Sequence, residues 1–275
     1  MTNGKRIPQG AGARIEFMLA VPYRRILAGM LAASVVLSLA ACAPERPPGP
    51  SASPSASTPA SLPAPVTKVK SFFDKSRYSI DDPLSQWVIN DKLRPLNPIN
   101  YAPPDLVVTP VKHLSAPLMR PPAADAMVQM FAAAAAEGAG QLQIQNSYRS
   151  YSTQLSLHQT LVNQLGKAAA DAQSARAGYS EHQTGWTADV AAYPSKCNIQ
   201  ECFGTTPQGE WIAANAWRFG FVIRYPQGKQ QITGYIYEPW HVRWVGTYLS
   251  TELHNTGVLT LEEFFGLPPA PDYAP

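Results

Sequence analysis

Hydrophobic residues follow three regimes along the chain. Residues 26–41 are apolar almost without interruption, residues 51–65 are nearly all Ser, Ala, Pro and Thr, and from about residue 76 short apolar groups alternate with turn residues and longer periodic stretches. Only the third regime has the patterning of a folded body. Within it, residues 123–137 are Ala-rich, carry Met127, Met130 and Phe131 at helical spacing and stop at Gly138, which predicts a helix. Residues 142–145 alternate and predict a strand. A second helix is predicted from Ser152 to near Ala172, with Leu155, Leu161, Val162 and Leu165 as its apolar stripe.

Further strands are expected at residues 189–192, 221–225 and 235–237, the last leading directly into Glu238-Pro239-Trp240-His241. Residues 207–217 and 246–254 read as helices, and residues 260–265 as a short capped one. Residues 76–110 are dense in turn signals, with Trp87-Val88-Ile89 and Leu106-Val107-Val108 as short strands. Helices precede strands, and there is neither βαβ alternation nor an internal repeat. The fold class that follows is α+β, a small mostly antiparallel sheet with flanking helices.

The first two regimes bear on location. Tyr23-Arg24-Arg25 precedes the apolar run, which at about 16 residues is shorter than the ~20 a spanning helix needs. A basic stretch, a short apolar run and small residues before a break mark a secretory signal over residues 1–41. Leu39-Ala40-Ala41-Cys42 resembles the lipobox of bacterial lipoproteins, which implies lipidation of Cys42 and a membrane anchor. A signal-anchor helix, or ordinary signal cleavage, is the alternative. The stretch before Tyr23 is long for such a leader, which leaves Met18 as an alternative start. Residues 42–75 then read as a Pro/Ser/Ala-rich linker, with too little apolar surface to offset chain entropy. The organisation expected is a body over 76–267 and a disordered Pro-rich tail over 268–275, facing the cell wall outside the cytoplasm.

Charge refines this picture. The formal net charge is +3, but residues 1–41 alone carry +4, which leaves −1 for the rest. A near-neutral body gives no electrostatic footprint for nucleic acid. Of the three cysteines, Cys197 and Cys202 remain after Cys42. In an exported protein their spacing favours a small disulfide loop over a pair of metal ligands.

Two stretches carry candidate chemistry. His182 lies in the polar Ser180-Glu181-His182-Gln183-Thr184-Gly185, and Asp189 follows at a strand start where an apolar residue is expected. A buried acid there must be paired or bind a metal. His241 follows a strand, with Glu238 three residues before it. The residues alone leave both a metal site and a set of satisfied polar groups open. His113, His158 and His254 sit without such company.

Ser180-x-His182-x-x-Gly185-x-x-Ala188-Asp189 resembles the signature of VanY-like D-alanyl-D-alanine carboxypeptidases, and Glu238-Pro239-Trp240-His241-x-Arg243 resembles their second metal motif. Ser147-Tyr148-Arg149-Ser150 with Gln154, the segment from Asn90 to Leu96, Tyr101 to Leu106, and Tyr225-Pro226 with Thr233-Gly234-Tyr235 follow the same family order over residues 85–255. Trp186 and Trp244 depart from the smaller or Tyr residues usual there and could reshape the pocket or its edge.

The resemblance implies a zinc DD-peptidase (Hedgehog/DD-peptidase-like) fold and one zinc ion held by His182, Asp189 and His241. It also implies Glu238 as general base and peptidoglycan stem peptides as substrate. Three ligands leave the fourth zinc position open for water. Arg149 is the candidate clamp for the substrate's terminal carboxylate, because a guanidinium matches a carboxylate in a two-point fork. Ser180 and Gln154 are candidates for the same end of the peptide. Arg243 and Tyr225 are read as supports for the metal ligands. The same zinc chemistry serves an L,D-carboxypeptidase or a D,D-dipeptidase, and a wall-binding protein without catalysis is the non-enzymatic alternative.

Overall fold

The computed structural model describes residues 73–274. The expected signal over 1–41, Cys42 and most of the linker over 42–75 lie outside them.

The chain enters through turns, then forms β1 (Val107–Val108) and β2 (Leu118–Met119), a two-stranded antiparallel pair. Helix α1 (Pro121–Ala136) follows, with Pro at its first position, where the missing N–H has no helical partner to lose. Met127, Met130, Phe131 and Ala134 form its buried face, and Gly138 in a positive-φ conformation ends it. Strand β3 (Gln141–Asn146) leads to α2 (Tyr151–Leu165) and α3 (Lys167–Gln173). Then come β4 (Thr187–Tyr193), α4 (Pro207–Asn215), β5 (Phe221–Ile223), α5 (Gln230–Thr233), β6 (His241–Trp244), α6 (Gly246–Thr256) and α7 (Leu261–Phe265).

The principal sheet has the order β3-β4-β6-β5 and every pair is antiparallel. The α+β reading therefore stands. The sheet packs against α1 and α4 through a core that includes Met119, Met130, Ile144, Val190, Phe203, Ile212, Phe221 and Val242. A second cluster joins Trp87 and Ile89 to Leu249 and Leu253 of α6 and to Leu261 and Phe264 of α7.

Several expectations are corrected. The helix expected to run from Ser152 to Ala172 is two helices, because Gly166 breaks it at φ +79°. Its supposed apolar stripe is not core: Leu155 is 53% and Leu165 47% exposed, and Gln154 is the buried residue of α2. Residues 235–237 form no strand, since Glu238 N–H bonds the Tyr225 carbonyl and the Tyr235 ring packs on Tyr225 instead of joining a ladder. Trp87-Val88-Ile89 is likewise irregular and is pinned by Trp87 Nε1–H to the Val245 carbonyl.

The ordered body is also wider than 76–267. Phe73 stacks on Tyr248 at 4.4 Å. At the other end Ala270 is fully buried and its N–H bonds the Ile232 carbonyl, while the Tyr273 hydroxyl accepts the Arg176 N–H at 2.8 Å. The segment expected to be a disordered tail is thus packed down by its own apolar and aromatic groups. Cys197 and Cys202 are joined in a disulfide, as expected.

Ile144 is fully buried where β3 meets α1 and faces Val190 across the ladder. Ile144→Ala is expected to destabilise the fold by ~2–5 kcal/mol, read as a lower urea midpoint with an unchanged m-value.

Candidate functional site

Asp189 sits on the central strand β4, and the register decides what flanks it. On one side Asp189 is opposite His241 of β6. On the other, a bulge between Ile144 and Asn146 of β3 brings Asn146 opposite Asp189. Directly opposed residues in an antiparallel pair place their side chains about 5 Å apart, so the ladder alone draws Asp189 and His241 together. A bulge re-aims a side chain in this way, and Asn146 Nδ2–H bonds Asp189 Oδ2 at 3.1 Å.

His182 arrives from a short 3-10 turn, Glu181–Thr184, just before β4. Gly185 closes the turn at φ +73°, and a Cβ there would meet Arg120 Cγ and Leu106 Cδ2 at 2.9 Å. Only glycine accepts both constraints. Gln183, fully buried, staples the turn by donating to the carbonyls of Ile99 and Tyr101 and accepting from Gly178 N–H.

His182, Asp189 and His241 are all buried, and their ligand atoms lie within 4.8 Å of one another. His182 Nδ1 bonds the Ser147 carbonyl at 2.7 Å and must carry the proton there, which frees Nε2 to face Asp189 Oδ2 at 3.3 Å. His241 turns Nε2 toward Glu181 Oε2 at 3.4 Å, which leaves Nδ1 facing Asp189 Oδ1 and Glu238 Oε2, each at 3.4 Å. The donor set is nitrogen, oxygen, nitrogen, with the fixed outer partners that metal-bound imidazoles require. Asp189 Oδ1 is buried and makes no hydrogen bond. A buried carboxylate with one orphaned oxygen, flanked by an imidazole nitrogen at each oxygen, is costly to bury without a cation, so the residues fit a zinc ion.

The electrostatics agree. Burial opposes ionisation of Asp189, but the facing imidazoles outweigh it and hold the carboxyl well below its usual range. Burial also opposes charging of His241, yet contacts with Asp189, Glu181 and Glu238 outweigh it and raise its pKa well above the usual imidazole range. His182 goes the other way, lowered by burial that Asp189 only partly offsets. Burial raises the Glu238 carboxyl, with His241 opposing.

Other candidates are placed as follows. Arg149 is pulled down from the usual guanidinium range by burial and held up by the Asp189 and Glu238 charges, so it belongs to the same field. Gln154 does not offer itself to substrate: its Oε1 accepts from Arg149 Nε at 2.5 Å and its Nε2 donates to Ser174 Oγ and the Ala175 carbonyl. It orients Arg149. Ser180 is buried beside the turn, its carbonyl bonded to Gln183 N–H. Tyr225 supports His241 by ring packing at 4.7 Å. Trp186 and Trp244 stack on each other at 5.2 Å in and against the core, and Trp240 is core as well.

Glu181, absent from the sequence candidates, is fully buried against His241, Arg224 and Arg243. Its signal was a charged residue inside a stretch that folds into the interior.

The VanY family, described as D-alanyl-D-alanine carboxypeptidase, matches residues 116–247. The structure of the LdcB LD-carboxypeptidase superposes with a TM-score of 0.62 at 38% identity, covering 67% of this chain and 87% of that one. The chain belongs to the VanY family. A variant of another family member, the vancomycin-resistance D,D-pentapeptidase VanY solved in complex with Zn(II), aligns at 28% identity and TM-score 0.54 over 66% of this chain and 99% of that one. YodJ of Bacillus subtilis is 40% identical over 173 residues, which span 61% of this chain but 63% of YodJ. The chain therefore covers less than two thirds of that relative's length.

A metal at this VanY-family triad needs a neutral His241. Because that ring's pKa is raised in the protein without metal, uptake is expected to release protons, and affinity to weaken as pH falls and protons compete. Calorimetric zinc titrations in two buffers of different ionisation enthalpy measure this, and buffer-independent heats would count against it.

Proposed function

We propose that the protein is a zinc-dependent carboxypeptidase that removes the terminal D-alanine of peptidoglycan stem peptides. The observation that carries this reading is the convergence of His182 Nε2, Asp189 and His241 Nδ1 on one point, with Glu238 Oε2 3.4 Å from His241 Nδ1. Zinc at this triad supplies Lewis-acid polarisation of the scissile carbonyl and activation of water.

The remaining work falls to the chain. Glu238, buried with a raised pKa, takes a proton at its carboxylate from the attacking water and returns it to the departing amine nitrogen. A base tuned upward toward working pH does both more readily. Arg149 has Nε committed to Gln154, which sets the plane of the guanidinium and directs its other edge toward a free terminal carboxylate. Ser180, beside His182, serves the same end of the peptide. Burial of the site strengthens each of these polar contacts.

A second reading has its own support. The LdcB LD-carboxypeptidase is more alike, at TM-score 0.62 and 38% identity, than the D,D-pentapeptidase VanY, at 0.54 and 28%. This favours trimming of tetrapeptides. Mass spectrometry of products from penta- and tetrapeptide substrates decides between them, and absence of any D-alanine release would overturn both.

We further infer export and a lipid anchor at Cys42, from the leader and the Leu39-Ala40-Ala41-Cys42 pattern. Among the described residues no helix is long and apolar enough to cross a membrane. Labelled palmitate should enter the wild type but not Cys42→Ala. Glu238→Gln is expected to lower kcat by about 10²–10⁴-fold while the protein still holds one zinc; full activity in that variant would remove Glu238 from the mechanism.

A further inference from the structure

We propose that Glu181 is the positioning residue for His241, and that Glu262 on α7 sets Glu181 through Arg224. Helix α7 is then a working part of the metal site, although it lies outside the family-matched residues 116–247. The proposal rests on the zinc reading above.

The contacts form one unbroken chain. Glu181 Oε1 accepts from Arg224 Nε at 2.8 Å and from Arg243 Nη1 at 2.9 Å. That oxygen is fully committed, which leaves Oε2 for His241 Nε2 at 3.4 Å, with Thr187 Oγ1 also at 3.4 Å. Arg224 spends its outer edge on Glu262 in a two-point fork, Nη2 to Oε1 at 2.5 Å and Nη1 to Oε2 at 3.0 Å. Arg243 spends Nη2 on the carbonyls of Gln86 and Val88. Side chains of Glu181, Arg224, Arg243 and Glu262 are at most 1% exposed.

Two carboxylates and two guanidiniums balance, so each charge is tolerated only while its partners stay. Glu262 is held in place because Thr260 Oγ1 caps α7 and Leu261 and Phe264 pack into the second core cluster. Without the Glu262 charge, Arg224 would turn its fork on Glu181, its other salt-bridge partner. Both Glu181 oxygens would then be drawn from His241, and the imidazole would lose the partner that fixes its tautomer and plane. Removing such an outer partner costs about 10–100-fold in metal affinity or activity.

The test uses the full chain and needs no substrate. Zinc dissociation constants are read by competition with a chromogenic chelator, visible spectra after Co²⁺ loading, and melting temperatures in chelator. Glu262→Gln is expected to weaken zinc binding by about 10–100-fold and to alter the Co²⁺ bands. Phe264→Ala, which loosens the packing of α7 but leaves its charge, is expected to lower the melting temperature and to weaken zinc binding less than Glu262→Gln does. Should Glu262→Gln fail to fold, Glu262→Asp, which shortens the reach, is read by the same criteria. Unchanged zinc affinity in the Glu262 variant, or an equal loss in Phe264→Ala, overturns the proposal. A wild type that takes up no zinc overturns the zinc reading itself, and the proposal with it.

Discussion

The structure depends on the cross-strand pairing of Asp189 with His241. Two candidate metal ligands far apart in sequence become neighbours because β4 and β6 are antiparallel and in this register. Side chains alternate faces along a strand, so a slip of one residue would send one of the pair to the opposite face and abolish the site. The register is in turn held by what lies around it. Val190 and Val242 are both fully buried in the core, so the same slip would also take one of them out of it. Function and stability are therefore enforced by the same alternation.

A site made of buried charges must be compensated locally. Asp189 has Asn146 on one oxygen, and Glu181 has two arginines on one of its own. Arg224 and Arg243 are in their turn completed by Glu262 and by backbone carbonyls. Such a network is weak evidence for stability, since well-packed apolar residues could fill the same volume at no loss. Its persistence is easier to understand as orientation: imidazoles on a metal need a fixed proton and a fixed plane. Ser147 supplies that to His182 and Glu181 to His241.

The sequence disclosed the chemistry better than the architecture around it. Asp189 stood out as an acid at a strand start where an apolar residue is expected, His182 by its polar loop, and His241 and Glu238 by their spacing after a strand, and the structure brings them together. Helix α1 and strands β3, β4 and β5 were legible from period and stop signals. Where sequence reasoning failed, a non-local effect prevailed. The apolar residues of α2 looked like a core stripe, but the helix has little of the fold against that face. Residues 235–237 have strand-like composition, yet their aromatic packing on Tyr225 and the Glu238 bond replaced a ladder. The tail looked disordered by composition, and Ala270 and Tyr273 find partners only in the folded state. Asn146 was invisible because a bulge, not spacing, puts it opposite Asp189. Glu181 and Arg224 could have been suspected, since each places a charge in a segment that must be buried.

The site divides into parts with different mechanical support, and this bears on how specificity can vary. Asp189 and His241 lie on strands, and His182 on a turn stapled by Gln183, Gly185 and the Ser147 carbonyl. These positions cannot move without disturbing the sheet. Glu238 and Arg149 instead sit on irregular segments that join strands to their neighbours, Glu238 just before β6 and Arg149 between β3 and α2. Arg149 is aimed chiefly by Gln154, which α2 carries on an otherwise exposed helix. Sites on loops tolerate change that sites on strands do not. A scaffold of this kind would hold a metal site fixed on its strands while groups on the loops are re-aimed, and the chain resembles both an LD-carboxypeptidase and a D,D-pentapeptidase.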